Sequence, residues 1–123
     1  MTNYPARQPR KVLEGTATVE IAGQTLNMEL ADLSLGGVTL CSPTAIPHAA
    51  EACVLTFSIP SKDGAHEIKV NATMTHCRYS FVYMRCRSGF QFQQLDELAT
   101  KFITGFMEES PSPLPDLPLL RAS

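Results

Sequence analysis

The run Asp32-Leu33-Ser34-Leu35-Gly36-Gly37 sets a carboxylate, a hydroxyl and two glycines within six residues. A carboxylate accepts two parallel N–H donors, which is what a guanine edge offers through its ring N–H and its exocyclic amine. Ser34 adds a hydroxyl able to bond a phosphate or a base. Gly36 and Gly37 permit positive φ and leave the backbone bare, so that a ligand can come close. Upstream, Arg7, Arg10 and Lys11 stand in an opening segment that holds no acid. Arginine presents a planar fork that matches phosphate oxygens and stacks on purine faces. Together, an acid-hydroxyl-glycine corner and a cationic segment suit a small, flat ligand with two negative charges and a hydrogen-bonding rim. Each half has a plainer reading. Asp32 could bond its own backbone in an Asx-turn, and the three cations could be solvated charges on a loose arm.

Charge distribution favours a small anion over a polyanion. The formal net charge is −2, yet residues 1 to 11 carry three cations and no acid, so the rest of the chain is acidic. Oligonucleotide-binding barrels present basic strand faces interleaved with aromatics. Here the strands carry few cations, and Arg78, Arg85 and Arg87 form the only second basic group, placed at a loop or edge. Nucleic acid is therefore not expected as a partner. Catalysis is not expected either, and no catalytic residue is assigned. Ser34 lacks the G-x-S-x-G frame, and no phosphate-binding P-loop is present. Cys41, Cys53, Cys77 and Cys86 show no C-x-x-C pairing, and His48, His66 and His76 share no metal-ligand spacing. No metal or cofactor is expected. The cysteines read as small buried hydrophobes in a reducing compartment. With no apolar leader and no segment long enough to span a bilayer, the chain reads as soluble and cytoplasmic, unless it is one domain of a larger membrane protein.

These residues need elements to hold them. The 123 residues suffice for one domain with a core of its own. Residues 1–14 read as a flexible basic arm, because Pro5 and Pro9 forbid a regular helix. From Gly15 the period is two. Ala17, Val19 and Ile21 alternate with Thr16, Thr18 and Glu20. Ala22-Gly23-Gln24 is a turn, and Leu26, Met28 and Leu30 alternate in the next strand. Asp32 shares the parity of that apolar set, and a carboxylate does not belong on a buried face unpaired. The strand must therefore end, bulge or open to a mouth there. Further strands begin at Val38 and at Cys53, the latter stopped by Pro60. Ser42 to Ala50 is a loop. A fifth strand covers 68–77 and a sixth 81–92. His76 continues the face of Val70, Ala72 and Met74 to a strand end, where it would flank a ligand or serve simply as a rim histidine. A helix follows, capped by Asp96, with Leu95, Leu98, Phe102 and Phe106 on one face. Residues 110–123, rich in proline, read as a disordered tail or linker. The fold expected is all-β: a six-stranded antiparallel barrel with a C-terminal α-helix over residues 15–109.

The cationic cluster, the D-x-S-x-x-G element (Asp32, Ser34, Gly37), the late strand Gly89-Phe90-Gln91-Phe92 and the closing helix resemble a PilZ domain over roughly residues 4–109. That resemblance implies a non-catalytic bacterial receptor for cyclic di-GMP. An R-x-x-x-R arm would wrap the ligand while the D-x-S-x-x-G strand end reads a guanine. Arg7 falls at the first arginine and Lys11 at the second, where a lysine keeps the charge but loses the fork. Arg10 could substitute if the arm shifts register. The ligand set implied is Arg7, Arg10, Lys11, Asp32, Ser34, Gly36, Gly37 and His76. A protein effector in motility, pilus or exopolysaccharide machinery is implied as the output. The alternative is a PilZ domain that does not bind the nucleotide and acts as a protein–protein adaptor.

Overall fold

The structure, a computed structural model, describes residues 9–45 and 51–109. Arg7 and the first part of the arm, His48 within the loop after Ser42, and the expected tail at 110–123 lie outside the described residues. The elements in chain order are β1 (Lys11–Val12), β2 (Thr16–Ile21), β3 (Gln24–Leu33), β4 (Gly37–Ser42), β5 (Ala52–Ser61), β6 (Gly64–Ser80), β7 (Arg85–Gln94) and α1 (Glu97–Glu108). All pairings are antiparallel. The order β3-β2-β5-β6-β7-β4 closes through β3–β4 into a six-stranded barrel, and β1 is an additional short strand beside β3. Closure covers the strand edges around most of the barrel.

Alternation drives this arrangement. Ala17, Val19 and Ile21 on β2, Leu55, Phe57 and Ile59 on β5, and Ile68, Val70 and Ala72 on β6 all point inward and are buried. Each fully buried aliphatic side chain contributes about 1.5–3 kcal/mol. The β2–β3 turn has positive φ at both Ala22 (52°) and Gly23 (77°), the geometry that matches the twist of a two-residue hairpin. Asp96 caps α1 as expected, its Oδ1 accepting the Ala99 N–H at 2.7 Å.

Four sequence expectations are corrected. Residues 11–13 are part of the barrel rather than free arm: Lys11 and Val12 pair with Leu33 and Asp32, and Leu13 is buried. Phe81 does not open the sixth strand. Phe81–Met84 form the exposed β6–β7 turn, and β7 starts at Arg85. The buried stripe of α1 is Ala99, Ile103 and Phe106, while Leu98 faces solvent, because the helix meets the barrel along a narrow line. Finally, His76 does not continue the buried face. A register shift between Met74 and His76 turns it outward, where it is exposed.

Candidate functional site

A β-bulge decides where Asp32 points. Leu30 faces Leu40 on β4, but Asp32 faces Thr39, so two steps along β3 match one step along β4. The extra residue, Ala31, changes the parity. Leu30 and Leu33 stay in the core, and Asp32 emerges half-exposed on the outer face. The conflict between a carboxylate and an apolar face is thus resolved by inserting one residue.

The pairing registers then draw one row across four strands. Asp32 lies opposite Thr39, Thr39 opposite Gly89, and Gly89 opposite His76. Glycine in the third position leaves room for the His76 imidazole, which a Cβ there would push aside. The next row outward sets Arg87 on β7 directly opposite Arg78 on β6. Like charges in that relation destabilise a sheet, so the fold itself does not call for them. An open cleft of about 680 Å³ lies here, lined by His76, Arg78, Tyr79, Ser80 and Arg87. That volume is in the range of small-molecule sites.

Asp32 sits between two guanidiniums at the edge of this cleft. Arg10 Nε donates to Oδ1 at 2.6 Å, and Arg87 Nη2 donates to Oδ2 at 3.5 Å. The remaining Arg10 donors reach Ser34 Oγ at 3.4 Å and Thr39 Oγ1 at 3.1 Å. Arg85 pairs with Glu29 further along the same face. Four arginines (10, 78, 85 and 87) therefore meet two carboxylates, an excess of two positive charges. Such a patch concentrates anions.

The corner after Asp32 is closed upon itself. Ser34 is buried, and its Oγ accepts the N–H groups of Gly36 at 3.3 Å and Gly37 at 3.2 Å. The Ser34 N–H donates to the Gly37 carbonyl at 2.8 Å. The turn expected of Asp32 as an Asx-turn is made by Ser34 instead. Gly36 and Gly37 do not have positive φ, contrary to expectation. What Gly37 supplies is room, since a Cβ would overlap the carbonyl oxygen of Phe90 on β7. Gly36 accepts the Phe92 N–H through its carbonyl at 2.9 Å.

Lys11 is turned away from this group. Its Nζ donates to the carbonyls of Phe106 (2.7 Å) and Glu109 (3.1 Å) and lies 4.2 Å from the centre of the Phe106 ring. A cation there satisfies orphan carbonyls and the negative end of the helix dipole. Arg10, just before β1, takes the corner, and Lys11, the first residue of β1, takes the helix end. The structure thus brings together Arg10, Asp32, Ser34, Gly36 and Gly37, with His76 across the cleft, and separates Lys11 from them.

Arg87, Arg78, Thr39 and Tyr79 are the site residues that sequence reasoning missed. A signal existed: Arg78, Arg85 and Arg87 lie in a stretch, residues 68–95, with no acid at all. Two of the thiols, Cys53 and Cys86, are not candidates for chemistry. Burial pushes Cys53 up to about 11, and burial followed by the neighbouring Cys77 raises Cys86; neither is an available thiolate at neutral pH. Among the described residues no group of three His, Cys, Asp or Glu side chains is placed to hold a metal ion. No helix among them is long and apolar enough to cross a membrane.

Comparison with known proteins bears on this geometry. The sequence matches the family described as PilZ domain over residues 6–109. No match was found among curated proteins. Among solved structures, the chain is similar to the Bacillus subtilis inhibitor of motility MotI/DgrA (TM-score 0.75, 8% identity, covering 85% of this chain and 50% of that one). It is similar to Borreliella burgdorferi PlzA in complex with c-di-GMP (TM-score 0.61, 16% identity, 84% and 41%). It is also similar to the PilZ domain of Escherichia coli YcgR with c-di-GMP (TM-score 0.61, 17% identity, 82% and 87%). The chain spans half or less of the first two of these proteins and most of the third domain. At these identities the likeness is one of fold.

Proposed function

Because the chain belongs to the PilZ domain family, we propose that it is a non-catalytic receptor domain for cyclic di-GMP. The observation that supports this most is Asp32, presented outward by a bulge and held between Arg10 and Arg87 at the rim of an arginine-lined cleft. Cyclic di-GMP carries two phosphates and two guanines. Its phosphates would take the guanidiniums of Arg10, Arg87 and Arg78, and Asp32 would exchange an arginine for the paired donors of a guanine edge. His76 and Tyr79 would flank the base. Gly36, Gly37 and Ser34 keep the corner rigid rather than bonding the ligand themselves. Arg7 adds a further phosphate cation in this reading. The same two-residue strand that sets Arg10 at the corner holds Lys11 on the end of α1. Drawing Arg10 onto a phosphate would load that strand and disturb the helix end, which is the relay to a protein effector. Free thiols at all four cysteines accord with a reducing, cytoplasmic setting.

Calorimetric titration with cyclic di-GMP at modest salt tests the reading. Binding is expected to be micromolar or tighter, lost in Asp32→Ala and weakened at least about tenfold in Arg10→Ala, a change of about 1.4 kcal/mol. Cyclic di-AMP, whose adenine lacks the ring N–H donor, should bind more weakly. Absence of heat with the wild-type protein would favour the second reading, a protein adaptor without ligand. Lys11 is the observation behind that alternative, since the second cation of the arm is spent on the helix.

A further inference from the structure

The β6–β7 hairpin carries a feature the nucleotide site does not use. β6 runs on to Ser80, past its last β5 partner at Thr73, while β7 stays paired with β4 as far as Cys86, so the turn itself projects beyond the last paired residues. Its turn is Phe81-Val82-Tyr83-Met84, four large apolar residues exposed by 82%, 87%, 60% and 68%. Met84 has φ 56°, a left-handed conformation that a non-glycine residue rarely adopts. Tyr79 packs edge-on against Phe81, and the Arg87 guanidinium lies over the Tyr83 ring. Nothing among the described residues buries these four, and a turn favours polar residues instead.

The charge around the tip identifies its partner. Arg78, Arg85 and Arg87 flank the tip on a stretch, Ile68 to Leu95, that has no acid of its own although the protein as a whole is negative; Glu29 and Asp32 reach Arg85 and Arg87 from β3. An apolar tip collared by arginines matches an anionic bilayer surface. Aromatic and aliphatic side chains enter the acyl boundary, while arginines extend their stems and keep their heads among the lipid phosphates. The shape agrees. A four-residue turn is narrow and convex, whereas protein–protein contacts of standard size take about 800 Å² from each partner. We propose that the β6–β7 tip is a peripheral membrane-docking loop that inserts Phe81, Val82 and Met84 into anionic lipid.

Co-sedimentation with vesicles tests this directly, using the full chain and phosphatidylglycerol mixed into phosphatidylcholine against phosphatidylcholine alone. The chain has no tryptophan, so Phe81→Trp introduces a single reporter at the tip. Binding to the anionic vesicles, blue-shifted emission and quenching by brominated acyl chains are expected, with little of each on phosphatidylcholine alone. Phe81→Ser with Val82→Ser should weaken binding by about tenfold or more, and Arg85→Gln by about fivefold. Both variants should keep the wild-type melting temperature, which separates lost docking from lost folding. The proposal is overturned if anionic vesicles do not bring the protein down, or if the double serine variant sediments like wild type. Reporter emission unchanged on vesicles that do bind would mean surface attraction without insertion, and would also overturn it. Self-association in solution that the serine variant abolishes would assign the tip to a second copy instead.

Discussion

The Asp32 corner and the β6–β7 tip lie on the same protein and use opposite strategies. At the corner every polar group is engaged: both Asp32 oxygens, the Ser34 hydroxyl, and the N–H groups of Gly36 and Gly37 all have partners. At the tip four apolar side chains stand in solvent. The corner is over-determined, so its shape is set before any ligand arrives and little ordering entropy remains to be lost on binding. The tip is under-used by the fold, and its exposure has a meaning only outside the chain. In the proposed reading, rigidity belongs to the place that reads a small molecule and exposed apolar surface to the place that meets something large.

Substitutions can break this contrast. The largest effect is expected for Gly37→Ala, whose methyl group must displace the Phe90 backbone. A loss of about 2–3 kcal/mol in unfolding free energy should be seen by urea denaturation, and a neutral result would mean the corner is looser than described. Ser34→Ala comes next. It leaves two glycine N–H groups without their acceptor, for a loss of about 1–2 kcal/mol by the same measurement. Gly89→Ala should cost about 1 kcal/mol or less, because the group it meets is the exposed His76 ring rather than backbone. Its signature is a moved His76 imidazole resonance by NMR together with weaker nucleotide binding. The smallest effect belongs to the paired serine substitutions at Phe81 and Val82. Stability should stay within about 0.5 kcal/mol of wild type. A larger loss would show that the tip supports the barrel after all, and the contrast would fail.

Much of this was legible in the sequence, for identifiable reasons. Strict alternation in β2 and β5 reports burial on one face, and the barrel follows from six such segments. The misfit of Asp32 with its strand's parity announced a strand end, a bulge or a mouth there, because a local rule broken at one residue requires a local remedy, and the pairing register decides for the bulge. Other features were hidden. Arg10 and Lys11 are neighbours of equal charge, and only the pairing of β1, too short for any pattern, separates their directions. Arg87 reaches Asp32 from 55 residues away along the chain, a contact set by closure of the barrel. Phe81–Met84 misled because hydrophobicity is the same signal whether a residue is buried by its own chain or reserved for another surface. His66 on β6 stacks on Phe102 of α1 with ring centres 3.9 Å apart; a helix-to-hairpin contact of this kind has no period to reveal it.

The inserted residue at Ala31 also governs what the chain can become. Since the backbone itself aims position 32 at solvent, whatever side chain stands there is displayed, and the interior neither notices nor objects. Exchanging Asp32 for asparagine or glutamate is expected to change what the cleft accepts, in the proposed reading, while the barrel stays whole; a cation there would face Arg10 and Arg87. Only deleting a residue from that strand would rotate the position inward, which makes chemistry at this address cheap to vary and its location hard to lose.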